Sequence, residues 1–123
     1  WLQDEAQIDA VTAISGSGPA YVFYFIEAVE AAARQLGFDE PAARKLTMET
    51  FLGATQLAAQ SAESISTLRQ QVTSKGGTTE AALKSFAVSG IAAEIAQGIE
   101  AAALRGRELG DSLGRDAGAS GHA

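Results

Sequence analysis

The sequence has no cysteine, a single histidine and only two prolines in 123 residues. Without cysteine there are no disulfides, thiolate zinc sites, iron–sulfur clusters or cysteine nucleophiles. The one histidine, His122, lies at the chain end, so no metal site is expected. Positive charge is also scarce: 9 Lys+Arg stand against 15 Asp+Glu, a net charge of −6. Nucleic-acid binding rests on clustered cations and is therefore not expected. No uninterrupted apolar run approaches the roughly 18 residues of a membrane span. Glu27, Glu30 and Arg34 break the most hydrophobic stretch, 20–36, so no membrane partner is expected. The first residue is Trp1, and no basic segment precedes an apolar one as in a secretory signal. The expectation is a piece of a longer, cytoplasmic protein, of a length that suits one domain.

What remains points to helix. Alanine is the commonest residue, and β-branched and aromatic residues never alternate with polar ones over a strand's length. The reading is all-α, a bundle of about five helices. Residues 1–12 are polar and mixed, and Ser15-Gly16-Ser17-Gly18-Pro19 breaks the chain, with Pro19 at the start of a helix that runs to Leu36 and stops at Gly37. Asp39, with Pro41 in the first turn, begins a second helix to about Gln60. A short helix over 64–72, another from Thr78/Thr79 to Val88 and a last one to about Leu109 follow. The tail, 110–123, lacks apolar periodicity and is expected to be structureless.

Two packing expectations follow. Tyr21 to Ile26 are apolar around the whole helix circumference, so a second chain or domain is expected to cover them. Leu46, Phe51, Leu52 and Leu57, with Ala54 and Ala58, are expected to form the packing face of the second helix. Gly53 and Gly98 are expected to mark close approach of another backbone.

Two segments have the residues for binding chemistry. Gly16-Ser17-Gly18-Pro19, feeding a helix, either presents backbone N–H groups to an anion or is a turn that needs positive φ. It is neither a dinucleotide fingerprint nor a Walker loop. Val72-Thr73-Ser74-Lys75-Gly76-Gly77-Thr78-Thr79-Glu80 opens a later helix and combines glycine flexibility, free N–H groups and the hydroxyls of Ser74, Thr78 and Thr79. It can hold a small carboxylate, or it is a Gly-Gly turn with a threonine cap. Lys75 steers an anion or points to water. Glu63, Glu80 and Glu94 form no acid/base pair by spacing and read as solvated helix faces.

Residues Asp9-Ala-Val-Thr-Ala-Ile-Ser-Gly-Ser-Gly-Pro-Ala-Tyr-Val-Phe23 and Leu68-Arg-Gln-Gln-Val-Thr-Ser-Lys-Gly-Gly-Thr-Thr79, in this order, closely resemble the C-terminal domain of Δ1-pyrroline-5-carboxylate reductase. The resemblance covers about residues 4–109. It implies a helical dimerisation and substrate-binding domain over 1–109 that interlocks with its twin in a homodimer, with a further ring of dimers left open. The parent activity it implies is the last step of proline biosynthesis, hydride transfer from NADPH or NADH to a cyclic imine. It also implies that a Rossmann domain, absent from this chain, holds most of the dinucleotide. Within the resemblance, the backbone at Gly77, Thr78 and Thr79 holds the substrate carboxylate, in a loop formed by Ser74 and Gly76. Thr79 lies near the imine nitrogen as proton donor or orienter, and Val72 and Ser74 lie near the nicotinamide. A supporting glutamate of the family falls near Ala62 or Glu63. Lys75 and Ser66 stand where the family commonly has proline. This chain alone is expected not to reduce the imine. Two other readings stay open at this point: a structural dimerisation module without catalysis, and a small-anion or amino-acid binding domain.

Overall fold

The computed structural model of the chain describes residues 4–121, with side chains as far as residue 113. The elements are α1 (Glu5–Val11), a π-helical turn (Thr12–Gly16), α2 (Gly18–Gln35), α3 (Glu40–Gln60), α4 (Ile65–Gln71), α5 (Thr78–Ser89) and α6 (Ile91–Gly121). There is no strand among the described residues. The five helices read from the sequence are α2 to α6, and α1 is additional. The chain divides into two units, Trp1–Tyr21 with Gly90–Ala123, and Val22–Ser89.

In the first unit, α1 forms where the sequence reading has no helix. Asp4 is its N-cap, with extended backbone, and its Oδ1 accepts the Gln7 N–H at 2.9 Å. Asp at the N-cap with Gln three residues on is a capping-box spacing. The Ser15–Pro19 stretch, expected as a break, instead carries the helix on through a π turn. The Ser17 N–H bonds Thr12 O at 3.0 Å, five residues back, and Ser17 itself keeps right-handed helical angles. Neither Gly16 nor Gly18 has positive φ, so the reading of this segment as a positive-φ turn does not hold. Gly16 is small because a Cβ there would lie 3.2 Å from the Thr12 methyl.

The π turn takes the Ser17 N–H away from the Ala13 carbonyl, its normal α-helical partner four residues back. The Tyr21 hydroxyl replaces it, donating to Ala13 O at 2.8 Å. Ala13, 2% exposed, sits where α1, the π turn and α6 pack together. The last helix continues to Gly121, past Leu109 and through most of the expected structureless tail. Once a helix is nucleated each added residue closes a hydrogen bond, and the glycines cost only about 1 kcal/mol each. His122 and Ala123 lie outside the described residues.

The second unit follows the local signals closely. At the end of α2, Gly37 (φ 108°) places its N–H on Arg34 O (3.0 Å) and the Phe38 N–H on Ala33 O (3.2 Å), a Schellman closure. Asp39 then caps α3, its Oδ1 accepting the Ala42 N–H at 2.9 Å, with Pro41 in the first turn. Ser64 caps α4 through the Thr67 N–H at 3.1 Å.

The expected face of α3 is covered only in part: Phe51 and Ala58 are half-buried and share one helical stripe with the two buried residues. Ala43 and Thr47, four residues apart, are its buried residues, while Leu46, Leu52 and Leu57 are exposed. Among the described residues, nothing beyond the surrounding turns of its own helix lies within 4 Å of a Cβ built at Gly53 or at Gly98, so neither marks a close approach of another described segment. Phe23 and Tyr24 of α2 are 64% and 70% exposed. No two helices of this unit have backbones in extended side-by-side contact, so the single chain leaves uncovered the apolar surface that the sequence reading assigns to a partner.

Candidate functional site: the α4–α5 loop

The segment between α4 and α5 is built by short-range hydrogen bonds. At the end of α4 the Val72 and Thr73 N–H groups donate to Arg69 O (3.3 Å) and Gln70 O (3.1 Å). The Thr73 hydroxyl donates to Arg69 O at 2.6 Å. A β-turn over Ser74–Gly77 follows, closed by Gly77 N–H on Ser74 O at 3.0 Å. Its third residue, Gly76, has φ +75°, the value of a type II turn and one that side chains disfavour. Gly77 is favoured for a different reason: a Cβ there would lie 3.2 Å from Ser74 O, a tight contact with backbone. The pair of glycines thus fixes how the chain enters α5.

α5 opens at Thr78, and its first intrahelical acceptance runs from the Ala81 N–H to Gly77 O at 3.2 Å. The N–H groups of Thr78, Thr79 and Glu80 therefore have no backbone acceptor among the described residues. Such orphan donors carry the positive end of the helix dipole. The hydroxyls of Ser74, Thr78 and Thr79 make no hydrogen bond within the described residues. Thr79 is half-buried, and Ser74 and Thr78 are exposed. Val72, 64% exposed, presents an apolar side chain beside the turn. The expected carboxylate-binding residues are thus gathered in one turn, with one difference. The Gly77 N–H is already used within the β-turn, so the free donors sit one to three residues further on.

The other expected positions contribute less here. Lys75 is exposed and forms no ion pair with a described residue. Glu63 lies exposed in the α3–α4 connection, where its N–H donates to Ser61 Oγ at 3.0 Å, beside exposed Ala62. A concavity of about 620 Å³ in the same unit, lined by Ala31, Arg34, Gln35, Phe38, Asp39 and Glu40, includes no residue of the loop.

One loop residue escaped the sequence reading. Glu80, taken as a solvated carboxylate, turns back so that its Oε1 accepts the Gly76 N–H at 3.1 Å. Lys84, one turn further along α5, lies 3.4 Å from the same oxygen. The signal was available: a glutamate in the third helical position after a Gly-Gly turn has the spacing of a residue that reaches back past the N-cap.

The match to known proteins covers this loop and the helices around it. The family described as pyrroline-5-carboxylate reductase dimerisation matches residues 5–109. Pyrroline-5-carboxylate reductase of Pseudomonas aeruginosa is 50% identical over 115 residues, which are 94% of this chain and 42% of that protein. Pyrroline-5-carboxylate reductase 2 of Bacillus subtilis is 45% identical over 108 residues, 88% of this chain and 39% of that protein. The chain thus spans about two fifths of the length of these relatives. Among solved structures, a pyrroline-5-carboxylate reductase from Coxiella burnetii superposes with a TM-score of 0.84 at 43% identity, covering 89% of this chain and 40% of that one. The Plasmodium falciparum enzyme, solved with NADP bound, also gives 0.84, at 30% identity, over 88% of this chain and 41% of that one. A match that runs from α1 into α6 and takes in both the Ser-Gly-Ser-Gly-Pro segment and the two-glycine loop is one of whole-domain architecture, and by it the chain belongs to the pyrroline-5-carboxylate reductase dimerisation family.

Proposed function

We propose that this chain is the dimerising and substrate-positioning part of a reductase that converts 1-pyrroline-5-carboxylate to L-proline. The observation that carries this reading is the row of unbonded N–H groups at Thr78 and Thr79, set behind a two-glycine turn in a segment matched to the family. A small carboxylate at a helix N-terminus gains both hydrogen bonds and dipole stabilisation without a basic patch. Ser74, Gly76 and Gly77 shape the turn, and the N–H groups of Thr78 and Thr79 hold the carboxylate.

The reaction adds a hydride to the imine carbon and a proton to the imine nitrogen. NADPH or NADH supplies the hydride when bound. The described residues contain no strand and no glycine-rich phosphate loop, so this chain does not fit the dinucleotide's phosphates. It offers Val72 and Ser74 as a wall for the nicotinamide end. The Thr79 hydroxyl, free of internal bonds, orients or protonates the imine nitrogen. Fixing a small ring by its carboxylate is the orientation that such a transfer needs.

The exposed Phe23 and Tyr24 surface supports a homodimer whose partner covers α2. Titration calorimetry with L-proline tests the binding half of this proposal. Saturable heat that is lost with the amide of proline is expected, and absence of heat from the folded chain refutes it. The chain alone is expected to oxidise no NADPH in the presence of the imine, and measurable turnover overturns that part.

A further inference from the structure

The loop carries a carboxylate of its own at the place where an anion is to bind. Glu80 stands in the first turn of α5, its Oε1 3.1 Å from the Gly76 N–H and 3.4 Å from Lys84 Nζ. Gly76 is the residue with left-handed φ on which the turn depends. Glu80 therefore does two opposing things. As an acceptor it ties the turn to the helix that presents the free N–H groups of Thr78 and Thr79. As a charge it occupies part of the field that would attract an incoming carboxylate. Lys84, in the i+4 position and one turn further into the helix, offsets that charge and leaves the hydrogen bond in place. Glu80 is half-buried, with a side chain 31% exposed, while the Lys84 side chain is 75% exposed. The acceptor thus belongs to the loop and its counter-charge to the surface.

We propose that Glu80 and Lys84 are positioning residues for carboxylate recognition, the first shaping the anion-binding turn and the second cancelling the charge that this shaping introduces. The proposal rests on the reading of the loop given above. It predicts opposite signs for two substitutions at one position. Glu80→Gln keeps an acceptor for Gly76 and removes the charge, so L-proline binds more tightly, by about two- to fivefold for a charge beside an exposed helix end. Glu80→Ala removes acceptor and charge together, frees Gly76, and binding weakens in spite of the lost repulsion. Lys84→Met leaves the hydrogen bond and unbalances the charge, so binding weakens by up to about fivefold, the range of an exposed ion pair.

The experiment is calorimetric titration of L-proline into the folded chain and the three variants at low ionic strength. Amide NMR of Gly76 and circular dichroism are recorded on the same samples. The expected result is tighter binding by Glu80→Gln, weaker binding by the other two, and a Gly76 amide resonance displaced only in Glu80→Ala. A change in helix stability alone would lower all affinities together or none, so the split in sign separates positioning from a structural role. Unchanged Gly76 resonance in Glu80→Ala overturns the tether, whatever proline does. Equal proline affinity across the set, with Gly76 displaced, overturns the positioning role and leaves the carboxylate reading standing. No binding by the unmodified chain overturns the carboxylate reading and, with it, the inference.

Discussion

Replacing Tyr21 by phenylalanine removes one oxygen atom and tests how the π turn is held. The hydroxyl donates to Ala13 O at 2.8 Å, and Ala13 is 2% exposed, so water cannot readily take over the bond. The nearest backbone substitute, the Ser17 N–H, is already bonded to Thr12 O at 3.0 Å. An acceptor left unsatisfied in such a position costs about 1–3 kcal/mol. An unfolding entropy of about 2.1 cal/mol/K per residue gives roughly 0.26 kcal/mol/K for a chain of this length, so Tm should fall by about 4–12 °C. The assay is thermal unfolding followed by circular dichroism, at one protein concentration because association makes Tm concentration-dependent. Tyr24→Phe is the reference, since the Tyr24 hydroxyl bonds no described residue. Equal Tm values for the two variants would show that the π turn does not need Tyr21, and the account of this segment would be refuted.

Three further outcomes are expected. Thr47 is 2% exposed and its Oγ1 has no hydrogen-bond partner among the described residues, so Thr47→Val, which keeps the shape, should stabilise the chain by about 1 kcal/mol in a urea titration; destabilisation would mean that the hydroxyl has a partner in the assembled protein. Gly76→Ala puts a side chain at φ +75°, at a cost of about 1–2 kcal/mol, and should weaken L-proline binding more than it lowers Tm, as read by calorimetry beside thermal unfolding. Light scattering over a dilution series should give twice the mass of one chain at micromolar concentration, whereas a well-folded monomer would mean that the α2 surface of Phe23 and Tyr24 needs no second copy.

Much of the helix layout was legible because helix ends are decided within about four residues. Gly37 ends α2, Asp39 and Pro41 begin α3, Ser64 begins α4 and Gly90 (φ 71°) separates α5 from α6. Each works through a backbone hydrogen bond or a permitted φ that involves only its neighbours. The same locality made the two-glycine loop recognisable, since Ser74, Gly76 and Gly77 close their own turn. Where the sequence misled, the deciding partner lay elsewhere or a local signal was ambiguous. Ser15–Pro19 has the composition of a break, yet it continues as helix because Tyr21, eight residues beyond Ala13, satisfies the carbonyl that a π turn leaves free. Asp4 and Gln7 mark a helix start that the polar composition of the first residues obscured.

The sequence alone determined the all-helical class, the order and limits of α2 to α5, and the family to which the chain belongs, because caps, glycines and short motifs act over a few residues. Only the tertiary structure decided that burial on α3 concentrates at Ala43 and Thr47 while its leucines stay exposed. It also decided that α1, the π turn and α6 pack together, and that Glu80 turns back on Gly76 with Lys84 behind it. Those choices depend on how elements distant in sequence meet and on which rotamer a charged side chain adopts. Neither periodicity nor spacing carries that information.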